Sequence, residues 1–173
     1  ITQNTDSIDA NSPTISAVSI ADTAMNVGDE VTATITVSGV ATGETLTLNA
    51  STIGGFTLGA LTKVSDTSYT ATFTVSEGGT DVVAGSDIPV SIQLEEASGN
   101  TSNTFATAIA QSNDLIDANS PTISGVSIAD VAMNVGDVVT ATITVSGAVG
   151  ETLTLNASTI GGFTLGALTK VSD

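Results

Sequence analysis

The chain repeats itself, and this limits what it can fold into more than any other feature. Asp9-Ala10-Asn11-Ser12-Pro13-Thr14-Ile15-Ser16 returns 108 residues later as Asp117-Ala118-Asn119-Ser120-Pro121-Thr122-Ile123-Ser124. Of the 31 positions in 9–39, 28 are identical in the second copy, and 43–66 matches 150–173 throughout. Ile1-Thr2-Gln3 aligns with Ile109-Ala110-Gln111. The reading is therefore one complete repeat over 1–108 and the N-terminal part of a second, near-identical repeat over 109–173. Near-identity of this degree suggests a longer array made by duplication.

Inside the unit the hydrophobic period is two. Val31, Ala33, Ile35 and Val37 alternate with Thr32, Thr34, Thr36 and Ser38. Tyr69, Ala71, Phe73 and Val75 alternate with Thr70, Thr72, Thr74 and Ser76, and Ile88, Val90, Ile92 and Leu94 follow the same rule. This is the pattern of strands with one face inward. Further strands are expected over 14–20, 44–48, 61–65 and 104–109, separated by breakers such as Gly54-Gly55, Gly78-Gly79 and Ser98-Gly99-Asn100. The chain has 30 threonines, whose β-branched side chains suit a pleated surface. About seven strands in a unit of about 108 residues is too long for common solenoid repeats and close to an immunoglobulin-like sandwich. The expected fold class is all-β, with immunoglobulin-like antiparallel β-sandwich repeats in tandem.

Charge narrows the partners. The chain carries 18 acidic and 2 basic side chains, a net charge of −16, which argues against nucleic acid and anionic membrane surfaces. Cys is absent, so no disulfide staples the fold and the redox compartment is left open. No apolar run approaches the roughly 20 residues that span a bilayer, and no membrane insertion is expected of this segment. The chain opens at Ile1 without a leader or initiating Met, so a protein longer at both ends is expected. The second repeat lacks counterparts of everything after Asp66. Its strands should therefore present an uncovered apolar face, to be completed by further chain or by strands from a neighbouring molecule.

Three segments carry a family resemblance. They are the linker Ile8-Asp9-Ala10-Asn11-Ser12-Pro13-Thr14-Ile15, the strand entry Val27-Gly28-Asp29-Glu30-Val31-Thr32-Ala33-Thr34-Ile35-Thr36-Val37-Ser38, and the strand and turn Val90-Ser91-Ile92-Gln93-Leu94-Glu95-Glu96-Ala97-Ser98-Gly99-Asn100. In this order they resemble the bacterial immunoglobulin-like repeats of giant surface adhesins, many exported by type I secretion and cadherin-like in architecture. The turn departs from the family pattern at Glu96, where Asp is usual. The resemblance implies an extended extracellular stalk at the cell surface, often stiffened by calcium between domains.

The residues also support calcium on their own chemistry, because Ca2+ takes six to eight oxygen ligands and the acidic residues fall in loops at both ends of the unit. At one end Asp6, Asp9 and Asn11 should meet the turn carrying Glu95, Glu96 and Asn100. At the other, Asp22, Asp29, Asp81 and Asp87 should gather near the outgoing linker with Asp114, Asp117 and Asn119. The alternative is that these Asp, Asn and Gly residues are ordinary solvated turn formers. The Gly-rich nonapeptide and EF-hand patterns are absent, and zinc lacks its usual His and Cys ligands.

Catalysis has little material, since His and Cys are both missing. The adjacent Glu95-Glu96 pair reads as a solvated turn, and Lys63 as a gatekeeper on an edge strand. Outward Thr rows are read as strand propensity rather than as an ice or carbohydrate surface. The chain is expected not to be an enzyme. Two functions follow: a calcium-stiffened adhesin stalk whose partners are neighbouring repeats of the same chain, or a subunit of a self-assembling extracellular filament or surface layer that contacts other copies.

Overall fold

A computed structural model describes residues 9–112, 115–148 and 151–171. Every regular element among them is a strand. The elements are β1 (Thr14–Ser19), β2 (Met25–Asn26), β3 (Glu30–Ser38), β4 (Leu46–Ile53), β5 (Phe56–Thr57), β6 (Thr62–Ser65), β7 (Ser68–Thr74), β8 (Val90–Glu96) and β9 (Ile116–Asp117). They continue with β10 (Thr122–Ile128), β11 (Ala141–Ser146), β12 (Thr159–Ile160) and β13 (Phe163–Thr164). Among the described residues no helix is long and apolar enough to cross a membrane.

The chain divides into two compact units, 1–118 and 119–173. In the first, one sheet runs β1-β3-β7-β6 and a second runs β5-β4-β8, with neighbours in each antiparallel. The period-two pattern dictates which faces meet. Along β3, Val31, Ala33, Ile35 and Val37 are buried, and along β7 so are Tyr69, Ala71 and Phe73. They share one core with Leu46, Ile53 and Phe56 from the other sheet and with Val90, Ile92 and Leu94 of β8. Phe56 and Phe73 stack across the two sheets at 5.7 Å between ring centroids. This arrangement is consistent with a β-sandwich.

Two strands differ from expectation. β4 runs on to Ile53 rather than ending at Leu48, because a register shift between Asn49 and Thr52 absorbs the polar run Asn49-Ala50-Ser51. Ala50 takes φ 42° there, and the Ser51 hydroxyl, facing inward, is satisfied by the Asn49 and Gln93 carbonyls and the Gln93 amide. The segment 104–109 does not form a continuous strand. It touches β8 and its approach through single bridges, Phe105 to Ile92 and Ile109 to Ile88.

The unit closes beyond the repeat boundary at 108/109. Ile109, Ile116 and Ala118 all pack against the first core, and β9 pairs in parallel with β2. The Met25 amide donates to the Leu115 carbonyl, and the Ile116 and Val82 backbones exchange hydrogen bonds. A repeat boundary drawn from sequence identity has an arbitrary phase, whereas the compact unit ends where the last apolar side chain is covered.

The second unit reproduces local features of the first. β10 and β11 pair with a register shift between Ile123 and Gly125, as β1 and β3 do between Ile15 and Ala17. The hairpin β12–β13 repeats the pairing of Thr52 and Ile53 with Thr57 and Phe56. Its apolar face is uncovered: Ile123 is 59% exposed and Phe163 81%, where the equivalent Ile15 and Phe56 are 8% and 6%.

Candidate metal centre

Glu96 sits where the strand pattern calls for an apolar residue. Val90, Ile92 and Leu94 face the core along β8, and the next inward position is Glu96, only 3% exposed. Leu46 lies opposite it across the β4–β8 pair. Extending β4 back by one inward step reaches Glu44, held in a turn by its amide's bond to the Ala41 carbonyl at 3.1 Å. Both carboxylates therefore fall at the same end of the inner face. The third member arrives from the linker that leads into β1. One carboxylate oxygen each from Asp9, Glu44 and Glu96 lies within 4.8 Å of the others.

The oxygens are only partly satisfied. Glu96 Oε2 accepts from Ser98 Oγ and Asn100 Nδ2, each at 3.3 Å. Its Oε1 is buried with no hydrogen-bond partner, as is Oε2 of Glu44. Burial pushes the Glu96 carboxyl above the usual carboxylate range. The charges of Glu44 and Asp9 push the same way, and the hydrogen bonds from Asn100 and Ser98 oppose them. Lys63 does not neutralise the cluster. Its ammonium pairs with Asp66 at 2.7 Å and reaches only the backbone carbonyl of Glu44, at 3.5 Å. The hydrogen bond that Lys63 donates to Asp66 holds its ammonium above its ordinary range.

The linker is tied down beside the cluster. The Asn11 amide donates to Asp9 Oδ1 at 3.0 Å, folding the chain back on itself. Asn100 Nδ2 donates to the Asp9 carbonyl at 3.3 Å and to the Asn11 carbonyl at 2.9 Å. The expected meeting of the linker with the Glu95–Asn100 turn is therefore present, with different roles for its members. Asp9 and Glu96 join the cluster, Asn11 and Asn100 brace it, and Glu95 faces away from the core, half-buried. Glu96 is buried rather than part of a solvated turn. Asp6 lies outside the described residues.

At the other end the carboxylates hold backbone amides. Asp29 Oδ2 accepts from the Asn26 amide at 2.8 Å, and the second unit repeats this with Asp137 and Asn134 at 2.7 Å. Asp22 Oδ1 accepts from the Ser112 amide at 3.3 Å, and Asp81 Oδ1 from the Ala118 amide at 2.8 Å. Asp87 is exposed, and Asp117 and Asn119 are half-buried. Asp114 lies outside the described residues. Among the described residues these side chains do not form a second three-carboxylate group.

Glu44 is the site residue that strand periodicity alone passed over. Its signal was present, since Glu44 and Glu96 each extend an inward-facing row by one position. No protein-family model, no curated protein and no solved structure matches the chain.

The donor set is all oxygen, with Glu96 buried and Asp9 and Glu44 half-buried. Two orphaned buried oxygens and three clustered negative charges fit a hard divalent cation of the calcium type. Bound there, such an ion would supply charge neutralisation and a cross-link between the incoming linker, the turn before β4 and the end of β8.

Proposed function

We propose that this chain is part of an extracellular adhesin stalk built from tandem immunoglobulin-like repeats, each stiffened by Ca2+ where the linker joins the sandwich. The carrying observation is Glu96, a buried carboxylate with one unpartnered oxygen, placed within reach of Asp9 from the linker and Glu44 from the turn before β4. Two groups on the sandwich and one on the linker make the cluster a cross-link, so a cation there restricts the angle at which the chain comes in. That is a mechanical function, and tandem near-identical copies suit it, because a spacer needs repetition more than variety. The strand orders support the immunoglobulin-like reading: β1-β3-β7-β6 follows the A-B-E-D order, and β4-β8 followed by the bridged segment 101–109 follows C-F-G.

The test is thermal unfolding of the chain in chelator, in millimolar Ca2+ and in millimolar Mg2+. Extracellular calcium sites bind at roughly 10⁻⁴–10⁻³ M, so millimolar Ca2+ should raise the transition of the first unit. Mg2+, which resists dehydration, should raise it less. An unchanged transition in Ca2+ would remove the metal from the proposal.

A filament or surface-layer subunit, in which a neighbouring copy covers the apolar side chains of the second unit, is the second reading. The strands that cover the equivalent face in the first unit lie in 67–118, and a neighbouring copy supplying that sequence would bury Ile123 and Phe163. Concentration-dependent sedimentation would support this reading; a single monomeric species at high concentration would remove it.

A further inference from the structure

The side chain of Asn100 is placed to do something other than bind a metal. Its Nδ2 faces three acceptors: the Asp9 carbonyl, the Asn11 carbonyl and Glu96 Oε2. An amide nitrogen has two hydrogens, which the three acceptors share. All three are pure acceptors, so the carbonyl end of the amide cannot replace the nitrogen without repulsion.

The backbone holds Asn100 in this position. Its carbonyl accepts from the Glu96 amide and the Gly99 amide donates to the Glu96 carbonyl, each at 2.9 Å, closing the turn that follows β8. On the other side, the bond from the Asn11 amide to Asp9 Oδ1 bends the linker so that the carbonyls of residues 9 and 11 both reach Asn100. Immediately afterwards Pro13 and Ile15 join the core.

We infer that Asn100 is a latch that docks the incoming linker onto the β8 turn without metal and positions Asp9 for the cation, rather than a ligand itself. The positioning half of this rests on the cation site proposed above; the latch half stands on the hydrogen bonds alone. The two roles predict opposite signs for Asn100→Asp. If Asn100 were a ligand, a carboxylate there would strengthen calcium binding. As a latch, Asn100→Asp loses both donors and sets a negative charge against two carbonyls and Glu96.

The experiment uses the full chain as wild type, N100D and N100A. Linker order at residues 9–12 is read in chelator by heteronuclear NOE, and calcium affinity by calorimetry. Amide exchange in β3 and β7 serves as the fold control. The wild-type linker should remain ordered in chelator and become mobile in both variants. Calcium binding should weaken about tenfold in N100D, the size expected for losing hydrogen bonds to charged or clustered acceptors. Tighter calcium binding by N100D would overturn the inference, as would equal linker order in wild type and N100A. If N100D does not fold, N100A decides, because it removes the donors without adding charge. If the wild type binds no calcium, the cation site fails, while linker order in chelator still tests the latch.

Discussion

Glu96 is under two opposing demands. Its position in the β8 alternation is a core position, and its side chain is a charge. Without a cation the buried carboxylate works against folding, which is why its pKa rises. A carboxyl whose pKa is raised on folding binds its proton more tightly in the folded chain. Its favourable contribution is therefore complete below the ordinary carboxylate range and is lost as pH rises through the raised value. In chelator, the stability of wild type relative to E96Q should fall as pH rises from the ordinary carboxylate range through the raised Glu96 pKa, as measured by denaturant unfolding. In saturating Ca2+ the slope should reverse, because protons then compete with the metal for the same oxygens. At neutral pH in chelator, E96Q should be more stable than wild type, and it should bind calcium at least about tenfold more weakly. An E96Q variant that unfolds earlier than wild type in chelator would show that the carboxylate is already satisfied in the folded chain.

At the scale of the element, the site depends on where β1 starts and how β8 is held. Gly39, just after β3, has φ +79°, and a Cβ there would lie 2.9 Å from the Ser12 carbonyl oxygen of the linker. Gly147 in the second unit repeats this contact against Ser120 at 2.8 Å, so the same close backbone approach shapes the start of β1 and of β10. Gly39→Ala should destabilise the first unit by about 1–3 kcal/mol, since both the left-handed φ and the contact oppose a side chain. Exposed Gly28, with φ +94° and no neighbour within 4 Å, should cost less on the same substitution. Ile92 is fully buried in β8 between the two sheets. Ile92→Ala should cost about 2–5 kcal/mol in chemical denaturation and loosen the strand that carries Glu96. The regular strands were legible because their apolar residues alternate without interruption. The extension of β4 was not, since Asn49-Ala50-Ser51 reads as a breaker until Gln93 supplies partners for Ser51.

For the whole molecule, the second unit closely repeats the sequence of 11–66 and has no counterpart of 67–118, so the two units do not share the same core. The first covers its apolar faces with β7, β8 and the closing residues Ile109, Ile116 and Ala118. In the second, β10 and β11 form a two-stranded sheet whose inward residues are half-buried or exposed. A two-stranded sheet is marginal by itself, so amides of β10 and β11 should exchange at least about 100-fold faster than their counterparts in β1 and β3. Comparable protection in both units would mean that something covers the second face in solution. The chain's charge of −16 opposes close approach of copies, so any self-association should strengthen as salt is added.

The sequence by itself determined the all-β class, the repeat period and the strands whose side chains alternate, because period-two patterning and near-identity are properties of residue order. It also indicated that the linker and the β8 turn would meet, since both are acidic loops at one end of a strand pair. Only the tertiary structure decided which carboxylates share a site. Asp9, Glu44 and Glu96 are separated by 35 and 52 residues and converge because β4 and β8 pair with Leu46 opposite Glu96 while the linker folds over that end. Long-range contacts assigned Asp22 and Asp81 to the amides of Ser112 and Ala118, whereas Asp29 holds the Asn26 amide of its own turn. A carboxylate beside a turn looks the same in sequence whether it serves an amide or a metal. Which it serves depends on what the fold brings within about 3 Å of its oxygens.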